Sequence, residues 1–163
     1  FSSKQIKYFD PSDDTKYTPY VVETSIGLDR MFLAIFSNAL CVEQLEDGSE
    51  RTVLKIPKII APYQCAILPL IKKDSLPDFA KELKNLLKLK FKLTYDEKDA
   101  IGRRYRRQDA LGTPFCVTVD HQTIKDKTVT VRDRDSMTQN RIKVDDLEEF
   151  LFKSFDISNW LKQ

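Results

Sequence analysis

The stretch "AIGRRYRRQDALGTPFCVTVD", Ala100–Asp120, sets an arginine-rich helical pattern before a short apolar run. It predicts a helix over Lys98–Leu111 followed by a strand, and "KTVTVRDRD", Lys127–Asp135, predicts another strand. Upstream, "YQCAILPLI", Tyr63–Ile71, has the pattern of a strand, and an amphipathic helix follows from Ser75. Strands alternating with helices predict an α/β fold from about Pro62 onward, with a mixed β-sheet flanked by helices.

A second informative stretch is "PYVVETSIGLDRMFLAIF", Pro19–Phe36. It predicts a short strand that breaks at a Ser-Ile-Gly corner and continues as a helix. The apolar residues of this helix recur at helical spacing and predict one buried face, made of Leu28, Met31, Phe32, Ile35, Phe36 and Ala39. We therefore predict a strand and helix within residues 1–41, a linker at 42–61 around the Asp47-Gly48 turn, and a domain at 62–163.

Composition excludes several function classes. The chain has 27 basic and 25 acidic side chains, so its net charge of +2 does not by itself indicate a polyanionic partner. A single histidine, His121, argues against Ser-His-Asp hydrolysis and multi-histidine metal sites, and it is predicted to be an ordinary residue at a strand end. Three widely spaced cysteines predict free thiols, and no apolar run is long enough to span a membrane. We expect a soluble cytoplasmic protein without a metal site.

The corner before the second helix places a charge where it is unfavourable. Arg30 lies in the first turn of the predicted helix, where the helix dipole is positive, so an anion is expected nearby. The side chains of Glu23, Ser25 and Arg30 would lie together at this corner. Such a set could bind the ammonium of a small zwitterion and a phosphate. The alternative is a plain corner in which Arg30 pairs with Asp29 or Glu23.

Arginines cluster in two further segments. Around Tyr105, four of them cannot all share one helix face, and such a cluster suits phosphate contacts and stacking on unpaired bases: Arg103, Arg104, Arg106 and Arg107. The alternative is a solvated helix in which Asp99 or Asp109 neutralises Arg107 or Arg103. In "VRDRDSM", Arg132 and Arg134 share a strand face, whereas Asp133 and Asp135 follow the parity of the buried valines. These carboxylates are predicted to meet arginines of the helix; direct RNA contact by Arg132 or Arg134 is the alternative.

Two of these stretches resemble a known family. "PYVVETSIGLDRMFLAIF" resembles motif 3 of the class II aminoacyl-tRNA synthetases, and Tyr95–Ile142 resembles the anticodon-binding domain of homodimeric glycyl-tRNA synthetases. The resemblance implies ATP-dependent attachment of glycine to its tRNA, with ATP and Mg²⁺ in the full-length enzyme. It makes Arg30 the catalytic and ATP-binding residue that grips the triphosphate, and Glu23 and Ser25 the ligands of the glycine ammonium. Together with the two arginine clusters, the resemblance predicts that tRNA of the glycine family is bound by Arg103, Arg104, Arg106, Arg107, Arg132 and Arg134.

The chain departs from this family in what it lacks. Motif 1, which forms the family's dimer interface, and motif 2 have no counterpart, so we expect a carboxy-terminal fragment of a homodimeric enzyme. Residues 1–41 would then be the end of the catalytic domain. The fragment alone is expected to be inactive, with no cofactor bound. The rival hypothesis is a non-catalytic, synthetase-like accessory module that binds nucleic acid, although such a module has little reason to retain Glu23, Ser25 and Arg30 together.

Overall fold

The computed structural model describes residues 6–161, in two compact units, Phe1–Phe32 and Leu33–Gln163. Residues 1–5 and 162–163, which belong to the predicted segments 1–41 and 62–163, lie outside the described residues. In the first unit, strands β1 (Tyr8–Asp10) and β2 (Thr15–Tyr17) pair as an antiparallel hairpin. Helix α1 (Leu28–Ala39) begins in the first unit and ends in the second.

The second unit is built around a five-stranded sheet. Its strands are β5 (Cys65–Pro69), β6 (Leu93–Tyr95), β7 (Phe115–Val119), β8 (Thr128–Asp133) and β9 (Gln139–Lys143). Their order across the sheet is β6-β5-β7-β8-β9. Strands β6, β5 and β7 are parallel, while β8 and β9 are antiparallel to their neighbours. The sheet is therefore mixed.

Helices cover both faces of this sheet. Helices α2 (Leu76–Leu87) and α5 (Val144–Ser154) pack their apolar stripes on one face, against Ile67, Val117 and Val131 among others. Helix α3 (Ile101–Leu111) covers the other face through Ile101 and Tyr105. Two short helices, α4 (His121–Asp126) and α6 (Ile157–Trp160), complete the unit. A mixed sheet flanked by helices confirms the predicted fold class, and helices on both sides explain why β5 and β7 are buried throughout.

The predicted linker at 42–61 contains regular structure. Strands β3 (Leu40–Gln44) and β4 (Glu50–Leu54) form an antiparallel hairpin, followed by a 3₁₀ helix at Lys58–Ile60. The Asp47-Gly48 signal marks the turn of this hairpin, where the Asp47 carboxylate accepts hydrogen bonds from the backbone and hydroxyl of Ser49. Val53 and Leu54 of β4 are buried, so the segment is packed into the second unit.

The predicted buried face of α1 is wrong for most of its length. Only Ala39 is buried, in a small cluster with Leu54, Ile56 and Ala61, whereas Leu28 and Phe32 are 80% and 65% exposed. Periodicity shows that a helix has an apolar face but says nothing about which neighbour covers it. In the described residues, the hairpin covers only the last turn of α1.

The end of α3 meets β4 at Gly112, and this contact leads to a first prediction. Gly112 has a φ of +77°, and a Cβ added there would lie 3.1 Å from both the carbonyl oxygen and Cδ2 of Leu54. Both the left-handed backbone and the close approach disfavour a side chain. We expect Gly112→Ala to lower the free energy of unfolding by about 2 kcal/mol or more, measured by urea denaturation.

Gly102 provides the matched control for this substitution. It lies in the same helix, and nothing lies within 4 Å of a Cβ added there. Gly102→Ala should be neutral or stabilise the protein by up to about 1 kcal/mol, because alanine is the better helix former. Equal effects of the two substitutions would contradict a close contact between α3 and β4.

Candidate functional site

The predicted corner before α1 is partly formed. The helix begins at Leu28 as expected, and the Met31 amide donates to the Gly27 carbonyl over 3.0 Å. Residues 18–27, however, form no strand, so the strand predicted in "PYVVET" is wrong. A strand requires neighbours that pair its backbone groups, and no described strand pairs with this segment.

Glu23, Ser25 and Arg30 are all exposed on this segment. Within residues 6–161, Arg30 forms no ion pair with Asp29 or Glu23, which was the structural alternative for its charge. The exposed guanidinium is available to an anion from solution. Its predicted contact with a triphosphate, and the predicted contacts of Glu23 and Ser25 with glycine, stay predictions.

The four arginines of α3 divide into different environments. Arg104 is only 2% exposed, and its guanidinium donates to the carbonyls of Pro69 and Leu70 at the carboxyl end of β5 and to that of Asp99 in the loop before α3. Arg107 forms ion pairs with Asp96 at 2.8 Å and Asp99 at 3.2 Å, and the Asp96 hydrogen bond raises the pKa of Arg107. The predicted neutralisation by Asp99 is thus confirmed for Arg107.

The other two arginines of α3 point outward. The side chain of Arg106 is 42% exposed, and its guanidinium lies 3.7 Å from the Asp109 carboxylate. Arg103 is exposed and makes no ion pair with any residue in the described range. Of the four predicted RNA-binding arginines in this helix, these two present their guanidinium groups to solvent most directly.

Arg132 and Arg134 are buried, at 4% and 2% exposure. Arg132 donates to both carboxylate oxygens of Asp109, at 2.7 and 3.0 Å, and stacks over the ring of Tyr105. Arg134 donates to the carbonyls of Leu54, Ile56 and Gly112. The guanidinium groups of both residues are therefore occupied within the domain.

The predicted pairing between strand acids and helix arginines has the opposite polarity in the structure. The strand supplies the arginine, Arg132, and the helix supplies the acid, Asp109. Asp133 instead pairs with Lys58 at 2.6 Å, and Asp135 pairs with Arg134. The prediction that these charges pair within the protein is confirmed, but the predicted partners were wrong. Arg132 lies on the face of β8 that α3 covers, whereas Asp133 lies on the opposite face and pairs with Lys58.

A second surface, which the sequence analysis missed, lies at the carboxyl ends of the parallel strands. We call residues 70–75, 96–100 and 120–122, together with Arg103, the rim. The Leu70 amide donates to the Val119 carbonyl at 2.7 Å and the Asp96 amide lies 3.4 Å from the Ile67 carbonyl, so the three segments are adjacent. Strands β6 and β7 lie on opposite sides of β5, and such a switch point is where open α/β sheets bind ligands.

Most acidic side chains of the rim are bonded within the domain, whereas the Asp74 side chain is 62% exposed. Asp96 and Asp99 pair with Arg107, and Glu97 accepts from the Tyr95 hydroxyl. Asp120 caps α4 and pairs with Arg141 at 2.7 Å, and the Arg141 hydrogen bond holds the pKa of Asp120 well below its usual range. The exposed cations form no ion pair in the described part of the chain: Lys72, Lys73, Lys98 and Arg103. The rim therefore carries four exposed cations, while three of its five acids, Asp96, Asp99 and Asp120, are paired with arginines.

His121 lies on the rim at the start of α4, where the sequence predicted a strand end. Its Nδ1 lies 3.9 Å from Asp74, and its side chain is 54% exposed. The signal that could have located the rim was the order of strands rather than the arginine count. Strands followed by "KKDS", "DEK" and "DHQ" place exposed polar residues at one edge of a parallel sheet.

The described residues contain neither a metal-binding cluster nor a membrane-spanning helix. Residues 6–161 contain no group of three or more histidine, cysteine or acidic side chains arranged to hold a metal ion. The thiols of Cys41, Cys65 and Cys116 are free, as predicted, and burial raises the pKa of Cys116 to about 12. None of the described helices has the length and apolar character required to cross a membrane.

One protein of known structure is similar in fold to this chain. A chain of known structure, the RNA binding domain of threonyl-tRNA synthetase from Cryptosporidium parvum Iowa II, has a TM-score of 0.56 over 61% of this chain and 25% of its own. At 22% sequence identity, this likeness concerns the fold alone.

Relatives of higher identity are glycine–tRNA ligases. That of Clostridium acetobutylicum is 48% identical over 150 residues, which cover 92% of this chain and 32% of the relative. That of Borrelia hermsii is 48% identical over 148 residues, 91% of this chain and 33% of the relative. The chain thus spans about a third of the length of these relatives. The profile of one family, described as the anticodon binding domain, matches residues 64–154, which include the whole sheet, and the chain therefore belongs to the anticodon-binding domain family.

Proposed function

We propose that the domain at 62–163 binds the anticodon arm of tRNA of the glycine family, within a glycine–tRNA ligase that attaches glycine at the expense of ATP. The observation that carries the RNA-binding role is the rim, where four exposed cations lie beside acids of which Asp96, Asp99 and Asp120 are paired with arginines. Membership of the anticodon-binding family and the ligase relatives support the same assignment. The parent enzyme would act as a cytoplasmic homodimer.

The six predicted tRNA-binding arginines take two roles in this proposal. Arg103, Arg106 and Arg107 keep exposed guanidinium surface and can contact phosphate. Arg104, Arg132 and Arg134 hold the fold, since their guanidinium groups are buried and bonded to carbonyls or to Asp109. Lys72, Lys73 and Lys98 are added to the RNA surface because they lie on the rim.

The proposed roles of the corner residues follow from their chemistry. The Arg30 guanidinium would bind the triphosphate of ATP, and Glu23 and Ser25 would bind the glycine ammonium. Glycine has no side chain to recognise, so selectivity must come from holding its charged ends in a small pocket. The described residues do not provide the ligands of a metal site, so Mg²⁺ has no assigned partner in this chain.

A binding titration tests the RNA-binding role. The 163-residue chain should bind glycine-family tRNA more tightly than the same tRNA with a swapped anticodon, with an affinity that falls steeply with salt. Arg103→Ala and Lys98→Ala should each weaken binding and reduce the slope of log K against log salt by about one. The control is Lys143→Ala, an exposed lysine in β9, at the far edge of the sheet. Equal affinity for both tRNAs would remove the anticodon-reading role.

A further inference from the structure

The carboxyl end of α1 is fixed to the hairpin. The helix passes from Ala39 directly into β3 at Leu40, without a loop. Ala39 is buried with Leu54 and Ile56, and its carbonyl accepts a 2.7 Å hydrogen bond from the Lys55 amide. The last turn of α1 therefore moves with the hairpin.

The hairpin is in turn fixed to α3 and to the loop after β8 through Arg51. This residue lies in β4 and is 2% exposed. Its guanidinium donates to Glu43 of β3 at 2.6 Å, to Asp109 of α3 at 3.2 Å, and to the carbonyl of Arg134 at 2.9 Å. One side chain thus joins three parts of the second unit.

Arg134 makes the complementary attachment at the other end of β4. Its guanidinium bonds the carbonyls of Leu54 and Ile56 together with that of Gly112, the residue that ends α3. The two arginines hold β4 at both ends against the helix that carries the exposed Arg103 and Arg106. A flexible connection would require neither of them.

Stability alone gives a weak reason for this arrangement. Burying charged groups has a large desolvation cost, and well-packed apolar residues of similar volume are often as stabilising as a buried ion network. What such a network adds is geometry, because a planar guanidinium with five donors fixes the direction of each partner. The segment that the sequence predicted as a linker is instead held at a defined position.

We infer that Arg51 is a positioning residue, which fixes the hairpin and the end of α1 relative to the anticodon-binding sheet. This inference rests on the proposed function. In a complete ligase, a rigid attachment of the last turn of α1 to the RNA-binding sheet would set how bound tRNA is presented to the rest of the enzyme. Charging of tRNA depends on this geometry, whereas glycine activation and tRNA affinity do not.

The test uses Arg51→Met and Arg51→Lys in a complete ligase that contains this chain, with the same variants in the 163-residue chain. We expect Arg51→Met to lower kcat for tRNA charging at least tenfold, with unchanged glycine-dependent ATP–pyrophosphate exchange and unchanged KM for tRNA. Arg51→Lys should give an intermediate loss, because an ammonium cannot span all three partners. Thermal unfolding of each variant sets a temperature at which it remains folded, and if Arg51→Met does not fold, Arg51→Lys carries the test.

Each other outcome overturns the inference. Unchanged charging would show that the hairpin geometry is not used. A parallel loss of tRNA affinity would show that Arg51 supports the RNA surface itself, and a loss of pyrophosphate exchange would show a general effect on the active site. Failure of the proposed function is separate, since it appears as absent tRNA binding by the unsubstituted chain.

Discussion

Asp109→Asn should lower the free energy of unfolding by about 3–5 kcal/mol. Asp109 is fully buried and accepts hydrogen bonds from Arg51 and Arg132, while Arg106 approaches it at 3.7 Å. Replacing Asp109 with asparagine, which has nearly the same shape, removes the buried negative charge next to these arginines. Arg132, at 4% exposure, would then keep a desolvated charge without a counterion. Urea denaturation followed by circular dichroism measures the change.

Asp99→Asn is the matched control, because Asp99 pairs with another arginine of the same helix at the surface. Its ion pair with Arg107 involves side chains that are 30% and 39% exposed, so its loss should be worth no more than about 1 kcal/mol. Asp99 adopts a φ of +69°, which asparagine tolerates well. A similar small loss for Asp109→Asn would contradict the view that one buried carboxylate holds the arginines together.

A second substitution separates the effect of the buried Arg132 charge from the effect of side-chain packing. Burial lowers the pKa of Arg132, but the hydrogen bond and charge of Asp109 outweigh this effect and raise it. Adding Arg132→Met to Asp109→Asn should therefore recover part of the lost stability, since it removes the stranded cation. A double-mutant cycle across the two positions should give a coupling energy above about 1 kcal/mol.

The sequence predicted the sheet better than it predicted the arginines. Apolar runs and strand parity identified β5, β7 and β8, because these signals depend on local period alone. Which arginine of "RRYRR" is buried depends on the carbonyls of Pro69 and Leu70, more than 30 positions away. No local pattern contains that information. The same holds for Asp109 and Arg132, whose pairing requires α3 to lie across β8.

The hairpin within the predicted linker and the exposed face of α1 have related explanations. The Asp47-Gly48 pair correctly predicts a turn. The strands on either side of it carry polar residues next to the turn, and this polarity favours a linker over a strand. Arg51 of β4 is charged and yet buried, which its polarity alone does not predict. For α1, the spacing of the apolar residues correctly predicted a helix, but it does not tell which residues cover the apolar face. Buried charge and an uncovered apolar face are both exceptions to the rule that links polarity to exposure.

The corner residues give the other prediction with a large expected effect. In a complete ligase, Arg30→Ala should reduce kcat/KM for glycine-dependent ATP–pyrophosphate exchange by about 10²–10³-fold, the usual loss when one donor to a developing charge is removed. Arg30 is exposed in the structure, so stability should be unchanged. Arg30→Lys should retain part of the activity, because an ammonium keeps the charge but not the bidentate fork.

Arg106→Ala is the control that separates the two halves of the proposed function. Arg106 is an exposed arginine of the RNA-binding unit, so its removal should weaken tRNA binding while leaving pyrophosphate exchange unchanged. Arg30→Ala should do the reverse. If Arg30→Ala leaves exchange intact, the cation in the first turn of α1 does not serve the triphosphate. If a complete protein containing this chain shows no exchange at all but binds tRNA, the non-catalytic module becomes the better account, because the anticodon-binding sheet does not require an active corner to function.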